Sequence, residues 1–347
     1  DFCLSRGLGD VYKRQELGNP ERGYTRFFRG HSKLSYQLKP SIYRPDEKNS
    51  PSDPDYLIKN ENNIIRDVVI NCPDAFNSSD TLFEKLVKLQ HYGYATRLLD
   101  LTSNALVALY FACSEINDND EDGELVILDI PDSDIKYDDS DVVSILSAIS
   151  LRKIDFNIKN YINFSKQVAD LERRVSMIRN DKLQENVHDD VKNVISKVED
   201  NLSLPLRELI DKANNEIYEN KYKETFNKQS EIARLLHDIR KDKPSFSPVI
   251  EPIDFNRVVC VKAKLNNPRI IRQQGSFLLF GIHDQKIDYA TVPDCWKKML
   301  KQEPILIKNN CKKDILEALK YFGISKQNLF PELDSQAREI MDKYQIK

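Results

Sequence analysis

Apolar residues fall into two periodicities along this chain, and the change from one to the other divides it into three stretches. Short runs dense in β-branched and aromatic residues predict strands at YTRFF (24–28), GELVILDI (123–130), RVVCVKA (257–263), SFLLFG (276–281) and PILIK (303–307). Between the second and third runs the spacing lengthens to three and four. Val168, Leu171, Val175 and Ile178, then Ile232, Leu235, Leu236 and Ile239, predict amphipathic helices. Punctuation is missing from the same region: no glycine lies between Gly123 and Gly275, and no proline between Pro131 and Pro205. Strands on both sides of a helical stretch imply one discontinuous α+β domain, a mixed β-sheet core with flanking helices, interrupted by a long α-helical insertion. Its expected parts are residues 16–139, an insertion over 140–247, and 248–347 with C-terminal helices near 311–322 and 335–345. Residues 1–15, DFCLSRGLGDVYKRQ, read as a non-native leader and are set apart from the fold.

Local signals mark where chemistry could gather. In TLFEKLVKLQHYG, Thr81 and Glu84 have capping-box spacing and Gly93 falls at a helix C-cap. Gln90 shares a face with Phe83 and Leu86, so its amide needs partners. His91 closes the helix, either as a cap or core histidine or as a ligand-facing imidazole. The following stretch, YATRLLDLTSN, reads as a loop leading into Ala105 to Cys113, which is apolar all round and predicts a buried helix. Arg97 and Asp100 stand there among leucines, and charges so placed must be paired. Two arrangements satisfy them: an Arg97–Asp100 ion pair tying the loop to the core, or a polar pocket that they line. Thr102 or Ser103 is expected to cap the buried helix and leave its N-terminus facing an anion. Arg29 presents a forked donor at a strand end, and Gly30 beside it would let a ligand approach the backbone. Arg269, Arg272, Gln273 and Gly275 precede a strongly apolar strand, as a solvated turn or as the rim of the same pocket.

Composition removes several function classes. Against 55 acidic residues stand 52 basic ones, a net charge of -3, so nucleic acid is not an indicated partner. Hydrophobic residues make up 40% of the chain, enough for a sizeable core. No apolar run approaches the roughly 18 residues of a membrane span, and no export signal is legible, which predicts no membrane association. The six cysteines are scattered without a C-x-x-C pair, as expected of free thiols in a reducing compartment and a cytoplasmic protein. No Walker loop, nucleophile elbow or H-E-x-x-H helix occurs. The acidic stretches 117–123 and 132–141 lack calcium-loop spacing and read as solvated turns, so no metal is predicted. The insertion carries nearly equal numbers of both charge signs. That predicts a solvated helical hairpin, with a homodimer or a protein partner docked through it as the alternative.

FFRGHS, the block KLQHYGYATRLLDLTSNALVALYFAC, the segment NPRIIRQQGSFLLFG and the terminal ILEALKYFGISKQNLFPELD resemble four successive motifs of the FRG domain family. The resemblance covers about residues 22 to 335 outside the insertion. Carried over by position, the motif residues are Phe28, Arg29 and Gly30; Gln90, His91, Gly93, Thr96, Arg97, Leu98, Leu99, Asp100 and Thr102; and Arg269, Gln273, Gly275 and Phe277. Leu101 departs from the tryptophan common in the family and Ala95 from its proline. The resemblance further implies a distant likeness to ADP-ribosyltransferase-like folds, in which a split mixed sheet clamps NAD. On that expectation NAD is the substrate of an intracellular toxin or phage-defence effector. Arg29 and Arg97 would hold phosphates, Asp100 would stabilise the oxocarbenium centre, and Gln273 would stand where a glutamate is usual. Gly30, Gln90, His91, Thr96, Thr102, Arg269 and Gly275 would bind substrate. Two further readings keep the same residues: a non-catalytic nucleotide- or ligand-sensing module, and a structural or partner-binding protein.

Overall fold

A computed structural model of the chain describes residues 18–45, 53, 55–114, 121–185, 206–247, 249–300 and 303–344. The leader 1–15 and the acidic residues 117–120 lie outside them. In chain order the elements are β1 (Tyr24–His31), α1 (Tyr56–Asn71), α2 (Leu82–His91), β2 (Leu98–Thr102), α3 (Ala105–Cys113), β3 (Gly123–Pro131), β4 (Ile135–Tyr137) and α4 (Asp141–Ala148). There follow α5 (Ile158–Glu185), α6 (Leu206–Lys228), α7 (Ser230–Asp242), β5 (Val258–Lys262), α8 (Pro268–Gln273), β6 (Gly275–Phe280), β7 (Lys297–Lys298) and β8 (Ile305–Ile307). Helices α9 (Lys312–Tyr321), α10 (Lys326–Leu329) and α11 (Leu333–Tyr344) close the order.

The eight strands form one mixed sheet in the order β4-β5-β6-β2-β1-β3-β7, with β8 also pairing β3. Strands β4 and β5 pair in parallel, and the other strand pairs among the described residues are antiparallel. This is the expected α+β class, with one difference that matters for function. The stretch read as a loop, RLLDLT, supplies β2, a strand inside the sheet. Its leucines occupy both faces, so no alternation betrays it. Leu98 joins Phe277, Leu279, Val259 and Val261 in the core under the helices, while Leu99 and Leu101 join Phe27, Leu278 and Phe280 on the opposite face.

The helices between β4 and β5 behave in two ways. Ile232, Leu235, Leu236 and Ile239 of α7 are buried in the same core as the sheet, as their spacing predicted. Leu171, Val175 and Ile178 of α5 are exposed instead, and that helix buries the smaller Ser165 and Ala169. Helices α5 and α6 pack together, and Gln229 beyond α6 donates to the Tyr161 carbonyl and the Ser165 hydroxyl at 2.7 and 2.8 Å. Carboxylates of the 132–141 stretch are engaged by Thr25, Arg257, Lys264 and Lys243. Among the described residues no helix is long and apolar enough to cross a membrane.

Candidate functional site

Strands β1 and β3 pair over eight positions, from Tyr24 against Pro131 to His31 against Glu124. On its other side β1 meets β2 at one register pair, Phe28 with Thr102. The sheet is therefore split between β1 and β2, and a cavity of about 230 Å³ opens at the split. Arg29 reaches across it. Its Nη1 donates to the Asp100 carbonyl at 2.6 Å and its Nε to His31 Nε2 at 3.2 Å. Burial pushes the Arg29 guanidinium down to about 10, against the pull of Asp100 and with a push from Arg44, so it stays charged at neutral pH. Burial, aided by Arg29 and Arg44 against Glu124, also lowers His31, which leaves Nε2 free to accept.

Asp100 is the exposed member of β2, whose other four residues are buried. A charged side chain open to solvent in the middle of an internal strand faces the cavity rather than a core. Its position is held by a relay from the preceding helix. Thr96 Oγ1 donates to Gln90 Oε1 at 2.6 Å, and Gln90 Nε2 donates to Asp100 Oδ2 at 3.0 Å. Thr96 is itself fixed, its N–H donating to Ser41 and its hydroxyl accepting from Leu98 N–H. The capping box of Thr81 and Glu84 and the left-handed Gly93 delimit α2 as expected, which sets Gln90 at the right height.

The far wall comes from α8. Thr102 Oγ1 donates to the Gln273 carbonyl at 2.7 Å and accepts from Asn104 N–H at 3.0 Å. Asn104, not Thr102 or Ser103, caps the buried helix α3, accepting from Leu106 N–H at 2.9 Å. Gln273 lines the cavity while its amide donates to the Leu329 carbonyl at 3.2 Å. Gly275 sits in the ladder opposite Thr102 and packs on Ile270, away from the cavity lining. Gln274, in the left-handed region at φ 47°, turns the chain from α8 into β6.

Packing corrects the placement of Arg97 and of His91. Arg97 does not pair with Asp100 and does not reach this cavity. It is fully buried on Glu61, with Nε to Oε1 at 2.9 Å and Nη2 to Oε2 at 2.5 Å, and its Nη1 donates to the Phe280 carbonyl. Lys286 completes that buried cluster, 3.0 Å from Glu61. Gly30 lines the cavity and is also needed for helix packing: a Cβ there would stand 2.0 Å from the Ala108 carbonyl oxygen of α3. His91 faces a second, larger cavity of about 470 Å³ between α2 and the segment before α8. Arg269 lines both cavities, stacks on the Phe330 ring at 4.6 Å and donates to the His91 carbonyl at 3.3 Å.

Arg44, Tyr36 and Ser32 line the small cavity and were not foreseen. They lie in irregular chain after β1, where no periodicity reports a direction. Glu61 was legible in principle, because Ile58 and Ile65 at three and four residues' distance place its carboxylate on the buried face of α1.

Residues 25–121 match the profile of the FRG domain. The chain carries an FRG domain. No curated protein and no solved structure matches the chain. Within the FRG domain the tripeptide divides its labour, Arg29 turning to the cavity and Gly30 admitting α3. Its second motif does the same, since Asp100, Gln90 and Thr96 serve the cavity and Arg97 serves the core. Arg269 and Gln273, which close the cavity, lie beyond the matched residues of the FRG domain.

Proposed function

We propose that the split-sheet cavity binds the pyrophosphate-bearing dinucleotide NAD and cleaves its nicotinamide glycosidic bond. One observation carries this reading: a solvent-facing carboxylate, Asp100, held by Gln90 at the centre of a buried strand, shares a cavity with Arg29, Arg44 and Arg269. Three guanidiniums suit phosphate oxygens, which they can grip with paired N–H donors. A single oriented carboxylate among them suits a centre where positive charge develops. In the reaction the C1′–N bond breaks and its electron pair passes to the ring nitrogen, so nicotinamide leaves neutral. Asp100 stabilises the oxocarbenium character at C1′, as carboxylates do in sugar hydrolysis. Water, or the nucleophile of an acceptor, adds to C1′ and gives up its proton to Asp100 or to solvent. A chain with this activity would deplete or transfer a central cellular nucleotide, as expected of a toxin or a defence effector.

Mass spectrometry of NAD incubated with the purified chain tests the proposal, alongside Arg29→Ala and Asp100→Ala variants shown by thermal melting to be folded. Release of nicotinamide by the unaltered chain, lost in both variants, is the expected result. NAD recovered intact but bound would replace catalysis by ligand sensing. NAD neither bound nor cleaved would overturn the reading.

A further inference from the structure

Helix α5 (Ile158–Glu185) has two faces free of charge. The first holds Ser165 and Ala169, both fully buried. It is turned to α6 and the chain beyond: Gln229 donates to the Ser165 hydroxyl, and Arg173 on its flank stacks on the Tyr218 ring of α6 at 5.4 Å. The second face holds Phe164, Val168, Leu171, Val175 and Ile178 and lies on the other side of the helix. Val168 is half-buried, but Phe164, Leu171, Val175 and Ile178 are 53%, 61%, 43% and 56% exposed. These five stand four, three, four and three residues apart, the spacing of a seam that meets a second helix by knobs-into-holes packing. Single exposed apolar residues are ordinary, whereas a continuous row about 21 Å long marks a contact surface. Because α6 already holds α5 in helical form, a partner helix need not supply the cost of nucleating it.

We propose that this seam is the interface of an antiparallel dimer of two copies of the chain, α5 packed on α5 across a two-fold axis between residues 169 and 170. The seam is self-complementary about that point, as a closed two-fold contact requires. Phe164 meets the second copy's Val175, and Val168 meets its Leu171, so each layer sets a large side chain against a β-branched valine. Charge selects the register. Of the charges flanking the seam, Arg174 comes opposite the second copy's Gln167 and Glu172 opposite its Ser165. A slip of one heptad would bring Arg174 onto Arg174 and Glu172 onto Glu172, where like charges repel. A slip the other way carries Val175 and Ile178 past the start of α5, with nothing to meet. Antiparallel alignment also brings each helix N-terminus beside the other's C-terminal half, which suits the two macrodipoles. A seam of two heptads covers less than the roughly 800 Å² per partner of a standard interface, so the association is of micromolar strength.

Sedimentation equilibrium of the full chain from about 1 to 100 µM tests this, the expected mass rising from one chain towards two. Leu171→Glu and Val175→Glu change exposed positions, so their melting curves should match that of the unaltered chain. Each should weaken association about tenfold or more, because a charge is then shut into the seam. Gln167→Glu reads the orientation. In the antiparallel dimer its carboxylate faces Arg174 and tightens association, whereas in a parallel pair it would face Glu172 and weaken it. A monomer at every concentration, a dimer untouched by Leu171→Glu and Val175→Glu, or weakening by Gln167→Glu would each overturn the proposal. A monomer that Leu171→Glu destabilises would overturn it in favour of a cover from within the chain, by residues 186–205. The dimer stands or falls independently of nicotinamide release from NAD.

Discussion

Arg97 and Glu61 form a two-pronged ion pair from which water is excluded, with Phe280 lending a carbonyl and Lys286 a second cation. Removing one member of such a pair strands the other in the interior, which costs more than removing both. Arg97→Ala and Glu61→Ala should each lose about 3–5 kcal/mol of stability. A double Arg97→Ala/Glu61→Ala variant should lose clearly less than the sum of the two single changes. Urea denaturation of the three variants checks this, and strict additivity would deny the coupling.

The same pair sets an acid limit. Burial pushes the Glu61 carboxyl up, but Arg97 and Lys286 outweigh it and hold the group below its ordinary value of 4.5. A carboxylate depressed on folding binds fewer protons folded than unfolded. Its stabilisation is therefore complete above 4.5 and is lost as pH falls through the folded value. Melting temperatures measured from neutral pH downward should fall more steeply below that point in the unaltered chain than in Glu61→Gln.

Gly30→Ala should destabilise the fold by about 2 kcal/mol or more, at the upper end of overpacking penalties. The new Cβ would meet the Ala108 oxygen at 2.0 Å and the Ala112 nitrogen at 2.4 Å, both backbone atoms that cannot step aside. A melting curve indistinguishable from that of the unaltered chain would contradict the packing described.

Arg29 governs how anion binding depends on pH. Because burial brings its guanidinium down to about 10, affinity for a phosphate-bearing ligand should be flat across neutral pH and fall as pH passes about 10. At neutral pH, Arg29→Ala should weaken pyrophosphate binding by about tenfold or more, the scale of one or two charged hydrogen bonds. Arg29→Lys should restore little, because a single ammonium cannot hold the Asp100 carbonyl and a phosphate in the forked geometry. Isothermal titration gives all three readings.

Gln90 and Thr96 act on ligands through Asp100. Gln90→Leu or Thr96→Val frees the carboxylate to rotate, and should lower the rate of nicotinamide release about tenfold or more while KM changes little, as misplacement of a reacting group does. A loss confined to KM would place these residues in ground-state binding instead.

How far the site was legible follows from where each residue sits. Thr81, Glu84 and Gly93 announced α2 because caps are local chemistry, and the apolar block 105–113 announced a buried helix by composition alone. Asp100 was recognisable as a charge among leucines, yet its strand was not, because leucines on both faces of an internal strand carry no period. Arg97 looked equivalent to Asp100 from the same run. Their roles separate because Arg97 stands just before β2 and Asp100 within it, three residues apart in extended chain whose side chains alternate between faces, and Glu61 meets Arg97 on one of them. On α5, three-to-four spacing placed Leu171, Val175 and Ile178 correctly on a helix, yet these side chains are exposed and the helix buries Ser165 and Ala169 instead.

The chain by itself determined its class, its caps, its buried helix and the residue types able to do chemistry, since each depends on neighbours within one or two turns. Tertiary structure alone decided that β1 and β2 part after one pair, that Arg29 spans the gap, and that Glu61 claims Arg97. Those facts join residues 36 and 71 positions apart. Contacts at such separation are selected by how the whole core closes, which no local pattern encodes.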